Sequence, residues 1–284
     1  MKIVSKACFF IAYCIYSIGF AGAISPITLK DDWGREIVLL GKPNRVVTLS
    51  AHLTDMAFEA GLDRQIIAVD VHSKIAEKRV VRLSAFPEPS IENIAKLKPD
   101  LVMLWGAGLK ATSVSRLESL GLRVFVSEPK TLKDIIANFE VLLTISQQPP
   151  SRASQRVESY KKSLETRIHA RVVPVFVQVW SEPLMTVGQS SFMANALKHC
   201  GAQVLLAPAT QSSAVVNPEA VVLSETRAIV SANNVSAKEY WRKRAVDKSS
   251  SWTFISLPES TLSQPSTKLL DSLTVLCERL DSLR

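Results

Sequence analysis

Short apolar runs of four to eight residues recur along the chain, and between them apolar positions return every three or four residues. Runs of that length bounded by turn residues predict strands, and the intervening period predicts helices. The strands fall at Arg45–Leu49, Gln65–Val69, Leu101–Trp105, Arg123–Val126, Val172–Val179, Ala228–Ser231 and Thr253–Leu257. Helices are predicted at Leu53–Ala60, Ile91–Leu97, Ser113–Leu120 and Phe192–Cys200, three of them closed by Gly61, Gly121 and Gly201, the residue type favoured after a last turn. Strands apolar on both faces that alternate with helices predict an α/β protein built on parallel sheets.

The strands fall into two groups. Between them, Pro149 to Ala170 opens on two prolines and is then dense in Arg, Lys, Gln and Glu, with Val157, Leu164 and Ile168 at helical spacing and no glycine. That composition predicts one long, largely solvated helix rather than a flexible linker. The predicted organisation is a leader over 1–23, an N-terminal α/β lobe over 24–148, a connecting helix over 149–170 and a C-terminal α/β lobe over 171–284. A weak internal repeat agrees with it. Ser90-Ile91-Glu92 and Asn217-Pro218-Glu219 each open a helix, and nine residues after each glutamate a strand begins, at Leu101 and Ala228. Ser90 and Asn217 suit the N-cap, and Glu92 and Glu219 lie where the helix dipole favours an anion.

Composition narrows the possibilities. With 47% hydrophobic and 21% charged residues the chain is too apolar for disorder. The net charge of +8 is scattered, with Trp241–Arg244 the one tight basic group, so no nucleic-acid partner is expected. Lys2 and Lys6, the apolar run Ala7–Phe20 and Ala21-Gly22-Ala23 together predict a secretory signal peptide cleaved near Ala23, hence an exported protein. Cleavage removes Cys8 and Cys14 and leaves Cys200 and Cys277, the number for one disulfide in an oxidising compartment; two buried free thiols are the alternative.

Candidate chemistry is sparse. Gly106-Ala107-Gly108-Leu109-Lys110-Ala111 follows a strand and has Glu128 about 20 residues on, the pattern of a dinucleotide turn, which admits an NAD-dependent oxidoreductase as an alternative from another class. Two strand–helix units precede it, so it does not open the fold, and a flexible turn after Trp105 is the favoured reading. His52 and His72 each follow a predicted parallel strand, the end at which open α/β sheets bind ligands, whereas His169 and His199 are assigned structural or solvated roles. A free metal would need further ligands, for which Asp55, Asp70 and Glu182 are the candidates; His72 could instead serve as an axial ligand to a metal already held in a macrocycle. Trp105, Phe86 and Trp180 also stand at strand ends or the loops after them, where aromatic side chains from two lobes would grip a large flat ligand.

Arg45-Val46-Val47-Thr48-Leu49-Ser50 with Thr54-Asp55 and Gly61, and then Ser90 through Val102 including Lys98-Pro99-Asp100-Leu101-Val102, resemble the substrate-binding proteins of ABC importers for iron chelates and cobalamin. The likeness runs through almost all of the chain after the leader, and Leu101 to Gly106, Val175 to Gln178 with Pro183, Thr186 and Gly188, and the two cysteines resemble the members that bind cobalamin. The resemblance implies a class III periplasmic binding protein: two Rossmann-like lobes joined by one long rigid helix, with the ligand in the cleft. It implies a Cys200–Cys277 disulfide, ligand contacts at Trp105, Phe86, His72 and Met185, and docking of Glu92 and Glu219 on arginines of an inner-membrane ABC permease dimer. His72 stands where the family has a tyrosine, Phe86 where it has a tryptophan, Met185 where it has a phenylalanine, and Ser213 where it has a further aromatic. The expected function is capture of cobalamin or a related corrinoid by a monomer with no enzymatic activity and no cofactor of its own; haem or a ferric siderophore is the alternative ligand. Trp180 and His52 complete the candidate ligand-binding set.

Overall fold

A computed structural model of the chain describes residues 26–76, 79–149, 152–165, 171–232, 234–245, 249–257, 261 and 263–284. The expected signal peptide with its cleavage point, and His169, lie outside these residues. Among the described residues no helix is long and apolar enough to cross a membrane.

The chain opens with an antiparallel hairpin, β1 (Ile27–Lys30) and β2 (Glu36–Leu39), whose alternating burial marks one face turned to the core. Then follow β3 (Val46–Leu49), α1 (Ala51–Glu59), β4 (Ile66–Asp70), β5 (Val81–Leu83), α2 (Ile91–Lys96), β6 (Leu101–Trp105), α3 (Ala111–Ser119) and β7 (Val124–Ser127). The strands β3 to β7 form one parallel sheet in the order β5-β4-β3-β6-β7. Val46–Leu49 and Leu101–Leu104 are buried throughout, because central parallel strands are covered on both faces. Ser50 caps α1 by accepting the Leu53 amide, and Gly61, at φ +83°, ends it in the left-handed region that glycine adopts without strain.

Two helices run between the halves. In α4 (Leu132–Ser146), Thr131 and Asp134 form a reciprocal capping box, and Gln147 closes the helix at φ 47°. Of the stretch 149–170, residues Arg152–Ser163 form α5, shorter than the single helix expected, with Ala153, Val157 and Tyr160 buried and the remaining positions largely solvated; Leu164 lies beyond its end and Ile168 outside the described residues. α4 packs along α5 and touches α1 on one side.

The second half continues with β8 (Val173–Gln178), β9 (Trp180–Ser181), β10 (Leu184–Val187), α6 (Phe192–His199), β11 (Ala202–Val204), β12 (Ser213–Val215), α7 (Pro218–Leu223), β13 (Ala228–Ser231), α8 (Asn234–Arg244), β14 (Thr253–Ser256) and α9 (Thr267–Asp281). Its parallel sheet has the order β11-β8-β13-β14, and β9, β10 and β12 form a small antiparallel sheet beside it. α4 also touches α6 and α9, so one apolar core extends from Leu53 and Phe125 through Phe139 and Leu142 to Val175 and Leu276. Cys200 and Cys277 are bonded, as expected, and tie the end of α6 to α9.

Polar bonds reinforce the junction. Arg156 of α5 pairs with Glu59 of α1 and, at 2.6 Å, with Asp271 of α9; Thr267 donates its hydroxyl to Glu59 at 2.7 Å, and Lys268 pairs with Asp55. Trp241, at the head of the basic group noted in the sequence, is fully buried: its indole donates to Gln178 at 2.8 Å and its ring packs edge-on against Phe176, Tyr240 and Trp252.

Candidate ligand-binding site

In the first sheet the chain progresses from β3 outward in both directions, so the strand order reverses between β3 and β6. Loops leaving such a pair diverge and leave a crevice at the carboxyl ends. A cavity of about 370 Å³ occupies that place, walled by the turn after β3, the turn after β4, the 85–89 loop and the turn after β6. His52, His72, Phe86 and Trp105 all line it. Four of the six residues expected at the ligand are therefore brought together by one sheet edge.

Their surroundings differ. Trp105, the last residue of β6, is 37% exposed, with one edge of contact made by His52 at 5.4 Å between ring centroids and 79° between planes. His52 is 1% exposed, with Nδ1 2.7 Å from Ser50 Oγ and Nε2 3.3 Å from Ser127 Oγ. Burial pushes its imidazole down to about 3, so the ring is neutral and one nitrogen donates while the other accepts. It is a wall and a brace for Trp105 more than an open contact. His72 is exposed, its backbone amide donating to Asp70 Oδ1 at 2.8 Å. Phe86 is 82% exposed on the loop between β5 and α2, whose rim meets the opposite turn through a Lys110–Glu88 ion pair.

The second sheet repeats the arrangement. Its order reverses between β8 and β13, and a depression of about 390 Å³ lined by Gln178, Trp180, Ser231 and Ser236 lies at their carboxyl ends. Trp180 is 62% exposed there. Met185 stands directly opposite Trp180 in one antiparallel pair and opposite Val215 in the other, so the three share one face of the small sheet. Trp180 lines this depression and Met185 neighbours it on the small sheet; neither lines the Trp105 cavity. Ser213 lies two residues along β12, opposite Val187.

The carboxylates weighed as metal ligands are committed elsewhere. Asp70 accepts the amides of His72 and Ala85, Asp55 pairs with Lys268, and Glu182 pairs with Arg244 at 3.0 Å. Among the described residues no group of three or more His, Cys, Asp or Glu could hold a metal ion. In the glycine turn a Cβ on Gly106 would stand 2.7 Å from Glu128 Oε2 and 3.0 Å from the Trp33 indole nitrogen, which donates to that carboxylate. Gly106 is glycine because a tryptophan and a glutamate press on it.

Glu92 and Glu219 are both exposed, each in the first turn of a six-residue helix, and among the described residues neither has an ion-pair partner. Their helices precede β6 and β13, which occupy equivalent places beside the first strands of their sheets. Sequence reasoning missed Ser127, which reaches His52 from β7, and Gln264, which reaches the cavity from the second half. Neither carries a local pattern; both arrive by tertiary placement.

Comparison with solved structures follows this geometry. The periplasmic vitamin B12 binding protein BtuF of Vibrio cholerae superposes with a TM-score of 0.75 at 24% identity, over 84% of this chain and 97% of that one. The fold is that of the class III periplasmic binding proteins. The periplasmic heme binding protein HutB of Vibrio cholerae shares this periplasmic-binding fold at a TM-score of 0.65 and 14% identity, over 83% of this chain and 98% of that one. In sequence, the chain is 28% identical over 248 residues to the vitamin B12-binding protein of Vibrio vulnificus, covering 84% of this periplasmic-binding fold chain and 90% of that protein. No family model matches the chain.

Proposed function

We propose that this chain is a periplasmic substrate-binding protein that captures cobalamin or a related corrinoid between its two sheets and delivers it to an inner-membrane ABC importer. The observation that carries this reading is the Trp105 cavity: an apolar chamber at the reversal point of a parallel sheet, with an indole, a phenyl ring and an imidazole turned into it. Similar proteins named for vitamin B12 support the choice of ligand.

The chemistry is burial. A macrocycle lying on Trp105 and Phe86 loses water from one face, and Trp180 with Met185 offers apolar surface from the other sheet. The stiff junction of α4 and α5 limits the ordering cost of closing on the ligand. Glu92 and Glu219, one on each half, present two exposed carboxylates for a permease dimer, where charge complementarity sets register and on-rate. Binding involves no bond-making by the protein.

Tryptophan quenching, calorimetry and visible spectra of the purified chain with cyanocobalamin, haem and a ferric siderophore test this reading. Tightest binding of cyanocobalamin is expected. A haem complex with a shifted Soret band that disappears in His72→Ala would replace the corrinoid with haem, since His72 is the exposed imidazole at the cavity.

A further inference from the structure

A recess of about 260 Å³ adjoins the Trp105 cavity and shares Ala51, His72 and Gln264 with it. Its other walls among the described residues are polar: Asp55, Lys74, Ser263 and Lys268. The volume is many times the roughly 30 Å³ that one water occupies in the liquid, so it suits a group of several atoms.

The strand of chain that carries Lys74 is held on both sides. Arg82 donates to the carbonyl of Ser73 at 2.7 Å and to that of Ile75 at 3.2 Å. The buried Ser73 hydroxyl lies 2.9 Å from Thr54 Oγ1, itself 2.8 Å from Thr48 Oγ1 at the end of β3. Lys74 is therefore presented from a fixed backbone while its side chain is exposed. Within the recess Asp55 is already paired with Lys268, and among the described residues Lys74 has no carboxylate within ion-pair distance. Among the described residues of the recess, one positive charge is left over beside an apolar chamber.

We infer that this recess is a subsite for an anionic arm of the ligand, a phosphodiester when the ligand is a corrinoid bearing its nucleotide loop, with Lys74 as the cation that receives it. The inference rests on the corrinoid reading above. The macrocycle lies against Trp105 and Phe86, and the arm passes His72 and Gln264 into the recess. The Lys268–Asp55 pair joins α9 to α1 across the same place, so the subsite's walls come from both halves.

The test uses the full chain, cyanocobalamin, and dicyanocobinamide, which has the same macrocycle without the phosphodiester. Lys74→Ala is expected to weaken cyanocobalamin binding about five-fold in low salt, the effect of losing one partly exposed ion pair, and Lys74→Glu more than about ten-fold. Both variants are expected to hold dicyanocobinamide within about two-fold of the parent, and high salt to erase the cyanocobalamin difference. Unchanged cyanocobalamin affinity in both variants, or equal weakening of both ligands, would overturn the subsite while leaving corrinoid capture intact. Failure of the parent chain to bind either ligand would instead overturn the corrinoid reading.

Discussion

Removing the Trp105 side chain tests the cavity most directly. A tryptophan side chain presents up to about 250 Å², and with the residue 37% exposed roughly 90 Å² of it faces the open cavity. At about 25 cal/mol per Å², covering that surface with ligand is worth about 2 kcal/mol. The part against His52 is already covered and adds nothing on binding. Trp105→Ala is thus expected to weaken cyanocobalamin binding by about 2 kcal/mol, near thirty-fold in Kd, with Trp105→Phe losing less. Isothermal titration calorimetry reads the change. Because the ring is partly buried, the variant also loses some fold stability, so circular dichroism and thermal unfolding are recorded first and the titration is run well below the transition. A folded Trp105→Ala protein that binds within two-fold of the parent would remove the indole from the site and with it the cavity's claim to be the binding surface.

Three further outcomes are expected. His52 has its pKa lowered from 6.5 to about 3 by burial, so the unfolded chain takes up a proton below pH 6.5 that the folded chain refuses; stability present above that pH declines as pH falls towards 3, by about 3 kcal/mol at pH 4.5. Urea unfolding should show this decline in the parent and a flatter profile in His52→Gln, and parallel profiles would contradict a buried neutral imidazole. Glu92→Ala combined with Glu219→Ala should leave ligand affinity intact and abolish stimulation of the importer in reconstituted vesicles; undiminished transport would remove both from docking. Cys200→Ala with Cys277→Ala opens a loop spanning 77 residues of separation and should lower unfolding free energy by about 4 kcal/mol on the loop-entropy model, with no change in stability telling against a structural role for the bond.

Local pattern determined a great deal about this protein. The apolar runs at β3, β4, β6, β7, β8 and β13 were legible because a strand buried on both faces carries few polar residues. The repeat of Ser90-Ile91-Glu92 and Asn217-Pro218-Glu219 was legible because helix starts demand particular caps, and both do open helices before equivalent strands. Spacing overlooked α4, α8 and α9. In α4 apolar residues crowd beyond one face because the helix packs against both halves at once, and in α8 the large buried anchors are the adjacent Tyr240 and Trp241 inside a mostly polar run. Which aromatics share a cavity was decided by tertiary structure alone. Trp105 and Phe86 line one cavity because β6 and the loop after β5 flank β3 and β4 in one sheet, whereas Trp180 and Met185 face each other across a short hairpin whose place beside the second sheet is set by tertiary packing. The same holds for the brace on His52 from Ser127, 75 residues away, and for Lys74 beside the Asp55–Lys268 pair. A chain writes its own caps and periods within a few residues, but the field and shape at a site depend on groups that come together only when distant segments close into one core.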